Sequence, residues 1–481
     1  MVFFITGCKV GPDFKPLPLP TTKTYTALPL PSRTASTILN KNAGKSQELI
    51  AGRDIEGDWW TLFHSDAINA LVSEGIQSNP DLAAAKATLK QAAYTLYAQE
   101  GGLLYPSIDF TGLAERMQTS PIAAGVGSGG STVFNVYNAS FQASYLLDIW
   151  GGARRQVEAY AAQVDYARYE MLGTYLTLTT NIVTTAVTMA ALESQIKITQ
   201  QLIEAQKQLL HIMQQQLIAG GISNLSVLSQ QTLLSQAEAM LPPLQKALSN
   251  EAHTLAVLLG KQTSHFLPVR VALERLVLPK NIPVSFPSSM VKQRPDIQAS
   301  QALLHAASAQ IGVATANLLP QITLAANYGW LSPTTSGFFD SENQAWGISG
   351  NLLQPLFHGG QLIMQRKAAV EAFNASRAQY QKTVLQAFKN VSDALRAIEY
   401  DAHEFTEQSQ AEAAAKKTYI TTQQQYAAGG QNYIAVLQAQ AQYQQISLAR
   451  IKAQALRYTD TAALYQALGG GWWHEKEWEK A

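Results

Sequence analysis

One feature limits what this chain can fold into more than any other: a long stretch free of helix breakers occurs twice. Residues 153–219 and 361–428 contain no proline, and only Gly173 places a glycine in either stretch. A helix of about 67 residues would be on the order of 100 Å long. Helices in globular proteins average roughly 10–14 residues, so these rods do not belong to an ordinary compact core. Apolar residues recur every seven positions, at Val157, Val164, Met171 and Leu178 in the first stretch and Val384, Val391, Ile398 and Phe405 in the second. That period marks a seam against neighbouring helices.

The segments ahead of the rods change period. Helical patterning runs from Asn79-Pro80-Asp81-Leu82 to about Leu104, and Pro106 ends it. Alternation of period two follows, with Ile108, Phe110, Gly112 and Ala114 set against Ser107, Asp109, Thr111 and Glu115. A glycine-rich loop covers 125–130. Alternation then resumes at Val133, Tyr137, Ala139, Phe141, Ala143, Tyr145 and Leu147. This predicts two-faced strands over about 107–117 and 133–147, each long enough for the roughly 9–11 residues a tilted membrane strand needs. Gly151-Gly152 then permits a sharp turn into the first rod. The rod stops at Gly220-Gly221, and a returning helix over 224–259 should kink at Pro242-Pro243.

The same order then repeats. Asn79-Pro80-Asp81-Leu82 returns as Arg294-Pro295-Asp296-Ile297, Gly151-Gly152 as Gly359-Gly360, and Gly220-Gly221 as Gly429-Gly430. Strands are expected over about 321–331 and 344–356, a long helix over 361–428 and a returning helix over 432–468. The parsing is therefore a first repeat at 58–260, a connector with short strands at 261–292, a second repeat at 293–470 and a tail at 471–481. The short helix 82–104 and the returning helix 224–259, stacked end to end, would nearly match one rod.

Composition narrows the surroundings. Charged residues are 14% of the chain, against about 25% in ordinary soluble proteins, so much of the surface is neutral-polar or faces lipid. A net charge of +1 leaves no basic footprint for nucleic acid. No unbroken run of 18 apolar residues occurs, so a membrane would be crossed by strands rather than a helix. The single cysteine, Cys8, follows Phe3-Phe4-Ile5-Thr6-Gly7. That run resembles a bacterial lipoprotein cleavage box, with 1–7 a signal-peptide remnant and acyl chains on Cys8. Residues 8–57 then read as a lipid-anchored extended segment rich in proline.

Four strands per chain cannot close a barrel, since small closed barrels need about eight, and open edges are not tolerated in lipid. Several chains must share one barrel; a dimer would supply eight strands and a trimer twelve. At this point the motifs carry a resemblance. They are Gly7-Cys8-Lys9-Val10-Gly11-Pro12-Asp13-Phe14, Trp59-Trp60 with Phe63, Pro287-Ser288 leading to Arg294-Pro295-Asp296-Ile297, Tyr426 and Gly429 followed by Tyr433, and Leu468-Gly469-Gly470-Gly471-Trp472. Together with the duplication they resemble the TolC-like outer-membrane efflux factors, in the lipoprotein branch paired with RND-type pumps. The resemblance implies a mainly α fold with a membrane β-barrel portion. It implies a homotrimer whose twelve-strand barrel continues into a twelve-helix α-barrel with a mixed equatorial region. It also implies an outer membrane location, a periplasmic adaptor and an inner-membrane RND-type transporter as partners, and passive conduction of small molecules.

The resemblance places the periplasmic gate at the two glycine turns. Family members often carry acidic residues there, whereas the matching positions here are Ser226, Gln431, Ala435 and Gln438. Tyr426 matches a family tyrosine that hydrogen-bonds across the tip. The expectation is a neutral gate built from Tyr426, Gln431, Tyr433, Gln438 and Ser226, with little response to salt. Aromatic residues at 137, 145, 328, 330 and 346 read as a membrane-interface girdle. Gly44-Lys45-Ser46 lacks the upstream glycine of a P-loop, and His403-Glu404 lacks the second histidine of a zinc site. No constellation suggests an enzyme, a cofactor or a metal site. Two rivals remain: an exit duct for protein secretion of the type I kind, and a periplasmic coiled-coil protein without a pore.

Overall fold

The computed structural model describes residues 9–18, 20–119, 131–266 and 269–474; Cys8 with the residues before it, the 125–130 glycine run and the tail 475–481 lie outside this set. In chain order the regular elements begin with β1 (Glu48–Ala51), α1 (Asp66–Ser78), α2 (Pro80–Leu104), β2 (Ser107–Thr119), β3 (Thr132–Leu147), α3 (Gly152–Ile218) and α4 (Asn224–Leu258). They continue with β4 (Asn281–Val284), α5 (Pro287–Gln293), α6 (Pro295–Ala316), β5 (Gln321–Ser332), β6 (Gln344–Leu353), α7 (Gln361–Ala427) and α8 (Tyr433–Ala467). The duplication is exact in length: α3 and α7 are both 67 residues, and α4 and α8 are both 35. The chain divides into two compact units.

The first unit combines the N-terminal strap up to Leu17 with Thr88–Arg168 and Ala299–Gln381. Its centre is an antiparallel sheet of order β2-β3-β5-β6. The register carries the period-two pattern across all four strands. Phe110 pairs with Phe141, Phe141 with Tyr328, and Tyr328 with Trp346, so an aromatic row crosses one face. Ile108, Leu324, Ile348 and Leu352 share that face by the same pairing. It is open: Trp346 is 72% exposed and Ile348 80%. The other face carries Asp109, Gln142, Asn327 and Gly347 in one row, with Thr111 and Ser140 hydroxyls 3.0 Å apart in the next. Leu353 pairs with Gln321 and Leu113 with Asn138 on this polar side. Each is an apolar exception. Gly329 is required by close approach, since a Cβ there would lie 2.4 Å from the Ala139 carbonyl oxygen.

The second unit holds Pro18–Ala87, Tyr169–Gln298 and the chain from Lys382 onward. Trp59, in a 3-10 turn over Trp59–Phe63, is fully buried and stacks on Tyr465 of α8 at 5.2 Å. In the lower part of α3, Leu202 and Ile203 pack with Ala237 of α4, while Ala205 and Leu209 pack with Leu437 of α8. One helix thus uses two adjacent seams.

The returning helices end against the helices that open each repeat. Asn79 donates to the Leu258 carbonyl at 3.0 Å and accepts from the Leu82 amide at 2.9 Å, capping the end of α4 and the start of α2 together. In the second repeat the buried Arg294 reaches the Ala467 carbonyl at the end of α8 and clamps Asp296 in the first turn of α6. The end-to-end stacking expected from the lengths is therefore built by side chains at the two repeated motifs.

Several expectations need correction. The last strand stops at Leu353 rather than residue 356, because Pro355 has no N–H to extend the ladder. The 8–57 segment does more than lie along other surfaces: Glu48–Ala51 forms a strand that pairs in parallel with Asn281–Val284. The 261–292 connector contains one strand and a helix, Pro287–Gln293, which opens on the preset φ of proline. Pro242 and Pro243 both lie inside α4, so the place where a kink is expected is interior to one 35-residue helix. One window of α3 is apolar enough to cross a membrane, but 72% of it is buried inside the protein, as a core helix would be.

Candidate functional site

The two glycine turns are built alike. After α3, the Gly221 amide donates to the Gln216 carbonyl at 2.8 Å and the Gly220 amide to Leu217 at 2.9 Å. After α7, Gly430 donates to Gln425 at 2.8 Å and Gly429 to Tyr426 at 3.0 Å. These paired bonds satisfy two of the orphan carbonyls at each helix end. Gly220 and Gly429 both have φ near +75°, at 74° and 77°, which a side chain would strain. Ser223 and Asn432 then cap α4 and α8, accepting from the Ser226 and Ala435 amides.

The expected gate residues divide into three groups. Tyr426 and Tyr433 meet across the second turn with ring centroids 5.2 Å apart. Tyr433 also packs against the cluster of Ala205, Leu209 and Leu437, as do Ile212 and Met213 of α3. Ser226 lies 3.2 Å from Ser223 within the cap of α4. Gln431 and Gln438 are exposed.

The strand–helix junctions are less symmetric. Gly151 has φ +77°, and a Cβ there would lie 2.9 Å from the Cα of Lys9, while one on Gly152 would lie 2.8 Å from Ala316. Gly359 and Gly360 also have positive φ, at 58° and 81°, with open space around both. At the first junction Asp148 accepts from the Ala153 and Arg154 amides at 2.9 and 3.0 Å and pairs with the Arg154 guanidinium. A carboxylate at that position meets the positive end of α3.

Sequence reasoning did not anticipate what holds the strap. Arg155 is 2% exposed and binds the Val10 carbonyl, Asp13 at 2.6 Å and Glu158 at 2.9 Å. His305 of α6 meets Glu158 at 3.0 Å, and its ring stacks on Phe14 at 4.4 Å. Gly11 and Gly312 pass so closely that a Cβ on either would clash. The Val10 amide donates to the Trp150 carbonyl. The Arg155 guanidinium, by hydrogen bond and charge, holds Asp13 below the usual carboxylate range. For Glu158, burial pushes the other way but is outweighed by His305 and Arg155, so its carboxyl is also depressed. Residues 9–14 are thereby fixed beside the end of β3.

The other motifs resolve as structure. Gly44 sits in a turn where a Cβ would strike the Thr37 and Asn40 carbonyls, and the Lys45 carbonyl accepts from Arg457. Among the described residues no cluster of three or more His, Cys, Asp or Glu could hold a metal ion. Of the expected girdle, Tyr328 and Trp330 meet edge to face at 5.5 Å on the apolar face, and Trp346 pairs beside Tyr328.

A sheet with an exposed apolar face and, among the described residues, no partner strand beyond β2 or β6, leading through glycine junctions into duplicated long helices, is the arrangement of an outer-membrane channel component. The profile of the outer membrane efflux protein family matches residues 71–261 and 286–470; the chain belongs to that family. It is 29% identical to the pyoverdine export outer membrane protein OpmQ of Pseudomonas putida over 86% of this chain and 88% of that one. It is 26% identical to the probable efflux pump outer membrane protein TtgC of Pseudomonas putida over 98% of this chain and 94% of that one. Among solved structures, the fold is similar to the outer-membrane channel OprN, with TM-score 0.83 at 23% identity, covering 97% of this chain and all (100%) of that one. It is likewise similar to the Campylobacter jejuni CmeC outer membrane channel, with TM-score 0.83 at 20% identity, covering 98% and 97%.

Proposed function

We propose that three copies of this chain close one twelve-strand barrel in the outer membrane. Their long helices would wall a periplasmic duct that passively passes small molecules from an adaptor and an inner-membrane transporter. The chain would perform no catalysis. The observation that carries this reading is the four-stranded sheet with an exposed apolar face and unpaired edges at β2 and β6, which lipid does not tolerate in a lone chain. Relatives named for pyoverdine export and for toluene efflux favour a small organic cargo over a protein.

The closed tip would rely on the Tyr426–Tyr433 contact rather than on charge, with Gln431, Gln438 and Ser226 making neutral hydrogen bonds to neighbouring copies. Cys8 would carry the acyl chains. The docked strap supports this, because Lys9 touches Gly151 where β3 gives way to α3. Native mass spectrometry in detergent tests stoichiometry, and planar bilayers test conduction. Trimers with single-channel currents are expected; monomers without current would overturn the reading. In a deletion strain, unchanged drug susceptibility with lost protein secretion would transfer it to the protein-export duct.

A further inference from the structure

One large cleft has no role in the channel reading. It holds about 1200 Å³ and is walled by the loop over residues 36–46, by Arg53, Asp54 and Glu56, and by the stretch leading into β4. Small-molecule sites are roughly 300–1,000 Å³, so the space suits a length of chain. Lys41, Lys45, Arg53 and Lys280 line it against two acids, Asp54 and Glu56. Among the described residues none of these four cations closes a salt bridge or donates a side-chain hydrogen bond. Asp54 is already engaged, since Trp473 donates to it at 3.2 Å and His474 Nε2 lies 2.8 Å away. The cations stand on a fixed frame. The Thr37 amide donates to the Gly44 carbonyl at 2.9 Å, and Asn40 Oδ1 accepts from the Asn42 and Ala43 amides. Beneath this loop the buried Arg457 donates to the Ala43 and Lys45 carbonyls. Lys280 precedes β4, and its carbonyl accepts from the Glu48 amide at 2.7 Å. A frame ordered in advance lowers the entropic cost of docking. Two further residues of the lining are unusual. Ile38 is 97% exposed, more than any other large apolar side chain described. His64 has φ 51°, and no other described non-glycine residue has a positive φ; such strain collects at ligand sites.

We propose that this cleft docks an acidic peptide segment of a second protein, whose carboxylates meet Lys41, Lys45, Arg53 and Lys280 and whose apolar side chain covers Ile38. Charge complementarity selects an anionic partner and speeds its arrival. Asp54 and Glu56 on the same walls repel a uniform polyanion, such as a polyphosphate chain or an anionic lipid surface. A peptide can set an amide or a cationic side chain beside them. The exposed isoleucine calls for an apolar contact at the lip, which a peptide also supplies. All the lining residues belong to the second unit, so the inference goes beyond the channel reading and stands without it.

The test uses the purified full-length protein and a fluorescein-labelled peptide of sequence Glu-Asp-Leu-Glu-Glu-Leu-Asp-Glu. Fluorescence anisotropy should show saturable binding that weakens on the order of tenfold between about 0.05 and 0.5 M salt. A triple variant, Lys41→Glu with Lys45→Glu and Lys280→Glu, changes only exposed side chains and should weaken binding on the order of tenfold or more at low salt. Ile38→Ser should weaken it several-fold with its salt dependence kept. Carbodiimide coupling joins carboxylates to lysines in contact and should place the peptide on Lys41, Lys45 or Lys280. No binding, full binding by the triple variant, or coupling confined to other lysines overturns the proposal. Equal binding of inorganic polyphosphate or of anionic lipid vesicles at the same lysines also overturns it, as a general anion surface. So does coupling of these lysines to a neighbouring copy without peptide, which would give the cleft to the assembly itself. Stoichiometry and single-channel currents are read separately, so loss of the docking site and loss of the channel are distinct results.

Discussion

Arg294 Nη1 donates to the main-chain oxygen of Ala467 at 2.5 Å, joining the end of one helix to the start of another. Asn79 makes the corresponding link to Leu258 in the first repeat. The two side chains differ, and so should their contributions. Arg294 also grips Asp296 with two bonds, so Arg294→Met is expected to cost about 3 kcal/mol, against about 1–2 kcal/mol for Asn79→Ala. Thermal unfolding of the two variants checks the order; an equal or reversed loss would mean the Arg294 charge adds nothing.

The sheet has an apolar side and a polar side that differ by one residue in register. Ile348→Arg is expected to destabilise membrane-inserted protein by about 2–4 kcal/mol, the range for a cation near mid-bilayer on a lipid-facing position. Ser349→Arg, its neighbour on the other face by pairing with Ala325, should be close to neutral. Urea titrations in lipid vesicles separate the two; equal losses would mean that the face with Ile348 is not in lipid.

At the tip, Gly429→Ala forces a side chain onto φ +77° and should cost about 1 kcal/mol. Tyr426→Ala removes the ring that meets Tyr433 and should raise single-channel conductance. With no charge pair to screen, conductance of the natural protein should show no strong block by trivalent cations from the periplasmic side. Strong block there would replace the neutral gate with an acidic one.

The strap should detach in acid. Asp13 and Glu158 are both depressed in the folded protein, from ordinary values of 3.8 and 4.5. Their contribution is present above those values and is lost as pH falls below them. Arg155→Met removes the guanidinium that Asp13, Glu158 and the Val10 carbonyl share and is expected to loosen the strap at neutral pH. Amide hydrogen exchange of residues 9–14, corrected for intrinsic rates, reads both effects. Protection should fall below about pH 4 in the natural protein and at every pH in the variant.

Much of this architecture was legible in the residues because it is periodic. Alternation over 107–117 and 321–331 found the strands, and glycine pairs at 151–152, 220–221, 359–360 and 429–430 found the turns between them. What stayed hidden is long-range and aperiodic. Glu48–Ala51 looks like linker until Asn281–Val284 supplies its partner, 233 residues away at the first pair of the register, Glu48 with Asn281. Arg155 reads as one more charge on a helix until the strap brings Asp13 against it. Of the expected gate residues, Tyr426 and Tyr433 meet within one chain, and Gln431 and Gln438 lie exposed on the surface of that chain. Spacing alone had no means of sorting these.

The equal lengths of α3 and α7, and of α4 and α8, restrict how this protein can be shortened or lengthened. Removing one heptad from α3 alone would raise its lower end by about 10.5 Å and slide Leu202 and Leu209 off their partners. Any change in reach must therefore be cut from all four helices in step, so natural variation in this dimension should come in whole heptads, inserted four times over.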